Sequence, residues 1–220
     1  YFYCSKRGLK KMATNIVYEV MTSDVVTISK DMGLNVAIEK LARNNISSLI
    51  VTENNIPLGI ITERDITRIA SDTKDIDKIN ISVVMSLNPV TIYRNADIVT
   101  ALEKMERHNI RRLIVIDKHG RLNGIITFSD IIKKLEENFF KVHTTIDTVM
   151  TENILKIHHD ASLKKAIDIM AQEKKSCLLV MSDEDSHDSK ALIGIITERD
   201  IVKLLYKEVP LFTPVRDICT

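Results

Sequence analysis

The feature that most constrains this chain is that it repeats itself. Val20-Met21-Thr22 recurs as Val84-Met85-Ser86 and as Val149-Met150-Thr151, and a weaker copy, Ile218-Cys219-Thr220, ends the sequence. The central residues of these copies lie 64, 65 and 69 positions apart. Each full copy then carries Gly-Ile-Ile-Thr, at Gly59 to Thr62, Gly124 to Thr127 and Gly194 to Thr197, and an Asp three residues later, Asp65, Asp130 and Asp200. Recurrence at a nearly fixed step implies one supersecondary unit per copy, and a unit of this size buries too little surface alone and must pack against a neighbour.

The interior of each copy reads the same way. Leu34, Ala37, Ile38 and Leu41 stand at i, i+3, i+4 and i+7, as do Ile98, Ala101, Leu102 and Met105, and Leu163, Ala166, Ile167 and Met170. That spacing lines one face of an α-helix. Short β-rich runs follow, over residues 48–52, 113–117 and 177–181. Asn54-Asn55 and Lys118-His119-Gly120 supply turn chemistry before the Gly-Ile-Ile-Thr strand. The third copy has a longer polar loop, 182–190, which accounts for its wider step. A second helix begins after each Thr. The expected unit is β-α-β-β-α in an α/β protein: a tail over 1–14, repeats over 15–72, 78–138 and 143–208, and the start of a truncated fourth over 209–220. Repeats one and two form a natural pair, and residues 212–220 read as the first strand of a partner for repeat three.

Composition narrows the function. The 220 residues carry 31 Lys+Arg against 30 Asp+Glu, so no basic excess points to a nucleic-acid coat. Trp is absent and aromatics are 5%, which disfavours aromatic cages and base-stacking platforms. Cys4, Cys177 and Cys219 are odd in number and far apart, so they read as neither a disulfide framework nor a metal set, and a cytoplasmic setting is expected. No apolar run approaches bilayer-spanning length. His158-His159 are adjacent rather than at helical ligand spacing, and no metal requirement is expected. No catalytic constellation emerges.

With the Val-Met-Thr start, the β-α-β-β-α order and the Gly-h-h-Thr-x-x-Asp ending present three times, the chain resembles a tandem CBS-domain protein, the module named after cystathionine β-synthase. The resemblance covers nearly everything from Asn15 to Glu208. It implies repeats paired into Bateman-type modules, and clefts between paired repeats that bind AMP, ADP, ATP or S-adenosylmethionine. It further implies homodimer formation and a non-catalytic regulatory role toward an effector protein of unknown identity. The alternatives are a dimerisation scaffold with empty sites and the regulatory region of an enzyme whose catalytic domain lies elsewhere.

The residues allow a mechanism for that binding. Thr62, Thr127 and Thr197 stand where a strand ends and a helix begins, so their hydroxyls can cap free N–H groups or meet a ligand oxygen. The helix start favours anions. Asp65, Asp130 and Asp200 follow one turn later, and two carboxylate oxygens can accept both hydroxyls of a ribose. Ser/Thr-x-x-acidic is also the pattern of a capping box, so the capping and binding readings both stand. By resemblance, adenine slots beside Val26, Ile46 and Ser47, beside Val90, Ile110 and Arg111, and beside Leu155, Lys175 and Ser176. Apolar walls suit a flat base, and core packing is the other reading of the same residues. For phosphates the candidates are Arg64, Arg199, Arg111 and Arg112, with Lys174-Lys175 at the matching place in repeat three. Repeat one has Ser47-Ser48 there, and repeat two has Phe128-Ser129 where the others have Glu-Arg.

Overall fold

A computed structural model describes residues 15–73, 75–136, 145–148, 150–182 and 191–220. The tail, Val149 and nearly all of the polar loop lie outside the described residues. No helix among them is long and apolar enough to cross a membrane.

The three repeats share one architecture. Repeat one has β1 (Thr27–Ile28), α1 (Leu34–Asn44), β2 (Ser48–Glu53), β3 (Ile56–Thr62) and α2 (Glu63–Asp72). A short helix, α3 (Ile81–Val84), and β4 (Ser86–Leu87) lead into repeat two, with β5 (Thr91–Tyr93), α4 (Ile98–Arg107), β6 (Arg112–Ile116), β7 (Leu122–Thr127) and α5 (Phe128–Glu136). Repeat three has β8 (Lys156–His158), α6 (Leu163–Glu173), β9 (Cys177–Met181), β10 (Leu192–Thr197) and α7 (Glu198–Tyr206). In repeats two and three the first strand pairs parallel with the second, and the second antiparallel with the third. The parallel step requires a crossover, which α4 and α6 provide.

The helical periodicity is realised in burial. Leu34, Ala37, Ile38 and Leu41 are buried in repeat one, and Leu163, Ala166, Ile167 and Met170 in repeat three. In repeat two Ile98, Ala101 and Met105 are buried, while Leu102 packs at the margin of that core.

The helix ends carry distinct caps. Asp97 caps α4, its Oδ1 accepting the Thr100 amide at 2.8 Å and its Oδ2 the Thr100 hydroxyl at 2.8 Å. The Thr100 N–H in particular holds the Asp97 carboxyl below its ordinary value; burial opposes this, and the Thr100 hydroxyl adds to it. A carboxyl depressed in the folded state stabilises above its unfolded pKa, and that contribution is lost as pH falls through the folded pKa. Asp97→Ala is therefore expected to cost about 1 kcal/mol near neutrality. In urea titrations the gap from wild type should close as the pH drops below about 4.

At the other end, each first helix is followed by a left-handed residue, directly at Asn45 (φ 51°) and Lys174 (φ 53°), and one position after His108 at Asn109 (φ 51°). Asn tolerates that region and Lys does not share its advantage. Lys174→Gly should raise stability by about 0.5–1 kcal/mol, seen as a higher Tm. An unchanged Tm would show that Lys174 gains more from its surroundings than its backbone costs.

The chain divides into two compact units. Among the described residues, the first holds those up to Thr27 with Ile50–Ile60 and those within Ser86–Thr145; the second holds Ile28–Leu49, those within Ile61–Met85 and those from Ile146.

In the first unit, the leader of repeat one, the segment ahead of β1, lies on repeat two. The Val17 amide donates to the Ala96 carbonyl, the Ile98 amide to the Asn15 carbonyl, and Thr22 and Ile125 exchange both backbone bonds at 2.9 Å. Val17 enters the repeat-two core with Ile92, Leu113, Val115, Ile126 and Ile131. The leader of repeat two mirrors this on repeat one: Ser86 pairs with Ile60 and Leu87 with Gly59. Within the second unit, the Leu34 amide donates to the Ile79 carbonyl and the Ile81 amide to Met32.

Residues 213–220 repeat the arrangement on repeat three. The Val215 amide donates to Ala161, the Leu163 amide to Thr213, and Thr220 and Ile195 exchange both bonds. The sequence of residues 212–220 predicts a strand, and the structure differs. The segment forms a 3-10 turn at Val215–Asp217, flanked by the single bridge Ser162↔Pro214 and the Ile195–Thr220 pair. Pro214, which has no N–H, and the compact turn after it leave no room for a longer ladder.

Leader exchange explains the motif glycines. A Cβ on Gly124 would sit 2.7 Å from the Thr22 carbonyl oxygen and 2.9 Å from Met21 Sδ; one on Gly194 would sit 2.6 Å from the Thr220 carbonyl oxygen and 2.8 Å from Cys219 Sγ. The two motifs that define the repeat are therefore contact partners, the Val-Met-Thr segment lying against the Gly of Gly-Ile-Ile-Thr.

Candidate functional site

The second unit also packs helices of repeat one on those of repeat three: α2 lies against α6 and α7, and α1 against α7. Ala70 from α2 enters the repeat-three core. Polar ties close the contact. The Ser71 hydroxyl donates to Asp168 Oδ1 at 2.8 Å, Lys164 Nζ donates to the Ser71 carbonyl at 3.1 Å and pairs with the same Asp168 oxygen, and Arg43 Nε donates to the Tyr206 hydroxyl at 2.7 Å. This packing brings together the starts of α2 and α7, the Thr-Glu-Arg-Asp segments that the sequence singled out.

Each Thr–Asp pair is built as a reciprocal cap. Asp65 Oδ2 accepts the Thr62 amide at 2.9 Å and the Thr62 hydroxyl at 2.7 Å, while the Asp65 amide donates back to Thr62 Oγ1 at 3.3 Å. Thr127 with Asp130, and Thr197 with Asp200, repeat this bond for bond. The capping reading is thus realised in all three copies. It employs one carboxylate oxygen only. Oδ1 of Asp65, Asp130 and Asp200 accepts no hydrogen bond among the described residues, and all three side chains are partly accessible. An ionised carboxylate has about four acceptor positions, so a capping Asp retains capacity on its outer oxygen.

The helix-to-strand turn is tied to the same station. The residue after each Thr donates its amide to the turn: Glu63 to the Ser47 carbonyl at 3.2 Å, Phe128 to Arg111 at 2.8 Å and Glu198 to Ser176 at 3.0 Å. Ser176 therefore stands where repeat two has Arg111, and Lys174-Lys175, expected at that place, match Asn109-Ile110 instead. The Ile46, Ile110 and Lys175 amides return to the preceding helix at Leu41, Met105 and Met170. The carbonyls of Ile46, Ile110 and Lys175 accept no bond among the described residues, so each turn keeps an acceptor. Val26, Ile46, Val90, Ile110 and Leu155 are half-buried rather than sealed in the core. Arg112 stands opposite Thr127 in the β6–β7 register, on the same sheet face, and Arg111 is exposed at the turn.

Arg64 and Arg199 are engaged by partners distant in the chain. Arg64 Nε donates to Glu198 Oε1 at 3.2 Å, and Arg199 Nε donates to Glu63 Oε1 at 3.1 Å. The pairs cross between repeats one and three. Glu63 and Glu198 are functional candidates that sequence reasoning missed, because their partners lie 136 and 134 positions away. Repeat two, with Phe128-Ser129, has no counterpart.

His158, His159 and Asp160 bring ligand-type atoms within 4.8 Å of one another. The Asp160 carboxylate is already paired with Arg216 and with His159. Adjacent histidines at a strand end carry no spacing signal, so the sequence did not mark this cluster.

The L-aspartate semialdehyde sulfurtransferase of Methanocaldococcus jannaschii is 33% identical over 121 residues, which are 55% of this chain and 22% of that enzyme. The chain thus spans about a fifth of that relative's length. Protein MJ1225 of the same organism superposes with a TM-score of 0.79 over 94% of this chain and 82% of its own, at 22% identity, a likeness of fold. The CBS domain protein PAE2072 of Pyrobaculum aerophilum, solved in complex with AMP, matches 56% of this chain and 99% of its own at 25% identity and a TM-score of 0.51. The CBS domain family model matches residues 17–72, 79–137 and 146–207, and the chain belongs to that family.

Proposed function

We propose that this chain is a non-catalytic regulatory protein that binds an adenine nucleotide or a related adenosine ligand at its Thr–Asp stations. The observation that carries the reading is the divided use of Asp65, Asp130 and Asp200: Oδ2 closes the helix cap and Oδ1 stays open to a ribose hydroxyl. Half-buried Val26, Val90, Ile46 and Ile110, with the open carbonyls of the turns, suit a flat base and its amino edge. Arg64, Arg199, Arg111 and Arg112 supply charge for phosphates. The AMP complex of a relative supports the ligand class. AMP, ADP and ATP are preferred to S-adenosylmethionine because four guanidinium groups lie at or near the stations.

Occupancy acts by population shift. A ligand favours one packing of the repeats only by its differential affinity for that packing, and an effector protein reads the result. Homodimer formation belongs to the same proposal. The β10 face exposes Leu192 at 60%, Ile193 at 44% and Ile195 at 36%, an apolar surface that self-association would cover.

Calorimetric titration with ATP, ADP, AMP and S-adenosylmethionine tests the ligand class. Saturable heat with a raised Tm is expected for at least one. No heat and no thermal shift with any of the four would favour the scaffold reading, which the completed capping boxes also permit.

A further inference from the structure

We propose that Glu63 and Glu198 are positioning residues for a pair of phosphate-binding arginines, each repeat's arginine being aimed by the glutamate of the other. The proposal rests on the nucleotide reading above and names how the anionic end of the ligand is held.

The geometry of the two ion pairs carries it. Each is made through Nε and a single carboxylate oxygen, Arg64 to Glu198 Oε1 and Arg199 to Glu63 Oε1. A guanidinium has five N–H donors, and the Nε bond leaves the four on its outer edge. The outer edges of Arg64 and Arg199 have no partner among the described residues. Exposure divides the roles. The glutamate side chains are 12% and 13% exposed, the arginines 54% and 44%. The acids are the fixed members and the arginines the arms that reach solvent. Each acid sits at the first position of a full-length helix, α2 or α7, where the helix end stabilises its charge. It is therefore held independently of the arginine that it orients.

The consequence is a fork set in place before the ligand arrives. A phosphate engaging the outer edge does not need to remove the glutamate, because the two anions use different donors of one guanidinium. A flexible arginine loses side-chain freedom on binding, and an oriented one has lost it already. Since the pairs cross, the arginine beside Asp65 depends on repeat three and the arginine beside Asp200 on repeat one.

The test uses the full chain, with Glu63→Gln and Glu198→Gln combined, and three calorimetric probes: ATP, inorganic pyrophosphate and adenosine. ATP and pyrophosphate affinity should fall about tenfold in the variant while adenosine affinity stays within about twofold. A merely structural role would weaken all three together and overturn the proposal. Equal or tighter pyrophosphate binding would overturn it too, since it would make the glutamates competitors of phosphate. Wild-type protein that binds pyrophosphate but neither ATP nor adenosine would sink the nucleotide reading alone, leaving the arginines to be judged on pyrophosphate. Wild-type protein that binds none of the probes overturns both. Should the double variant fail to fold, Arg64→Lys with Arg199→Lys keeps the charge and removes the fork. The same selective loss is expected, and unchanged pyrophosphate affinity would overturn the proposal.

Discussion

Asparagine at position 65, 130 or 200 should leave the fold nearly as stable and weaken nucleotide binding at that station by about 10–150-fold, the span of one hydrogen bond to a charged group worth about 1.5–3 kcal/mol. The reason is the division of labour between the two carboxylate oxygens. The amide oxygen of Asn can take the place of Oδ2 and accept both the amide and the hydroxyl of the preceding Thr. Its NH2 then occupies the position of Oδ1 and presents a donor where a ribose diol needs an acceptor. Alanine removes both functions, so Asp65→Ala should lose binding and also about 0.5–2 kcal/mol of stability, the cost of a lost cap. The Asn–Ala comparison separates cap from ligand contact in one experiment, thermal unfolding beside calorimetry. Asn variants that bind as wild type does, with Ala variants that differ only in Tm, would reduce the three aspartates to caps.

That experiment was half legible in the sequence. Thr-x-x-Asp ahead of an amphipathic run predicts both a cap and a ligand station, and residue types alone do not say whether one carboxylate can serve both. The structure commits Oδ2 to the cap, and Oδ1 accepts no hydrogen bond among the described residues. The helices were legible for a simpler reason: their cores depend on local spacing, and Leu34, Ala37, Ile38 and Leu41 lie on one face whatever covers them. Long-range choices were not legible. Nothing near Glu63 points to Arg199, and nothing near Ala70 points to the core around Ile167 and Ile201. Lys174 shows a third limit. Its left-handed backbone follows from alignment with Asn45 and Asn109, not from its own preference.

Alanine at Gly124 or Gly194 should destabilise its repeat by about 1–3 kcal/mol, as overpacking does, and valine by more, since two further methyl groups must also find room. The obstacle at Gly124 is main chain, the Thr22 carbonyl oxygen at 2.7 Å from the added Cβ, so no side-chain rotation relieves it. Either the leader lifts or β7 bends. Lifting breaks the two Thr22–Ile125 bonds and draws Val17 from a core in which it is wholly buried. The energetic cost and the structural readout are therefore linked. Amide exchange at Ile125 and Thr22 should accelerate in Gly124→Ala well before exchange at Leu113 or Val115, inside the same sheet, does. The corresponding pair for Gly194→Ala is Ile195 and Thr220. If Gly124→Ala unfolded with wild-type stability and kept Ile125 protected, the glycine would be incidental. The contact between the two repeated motifs would then not be what fixes glycine at the head of Gly-Ile-Ile-Thr.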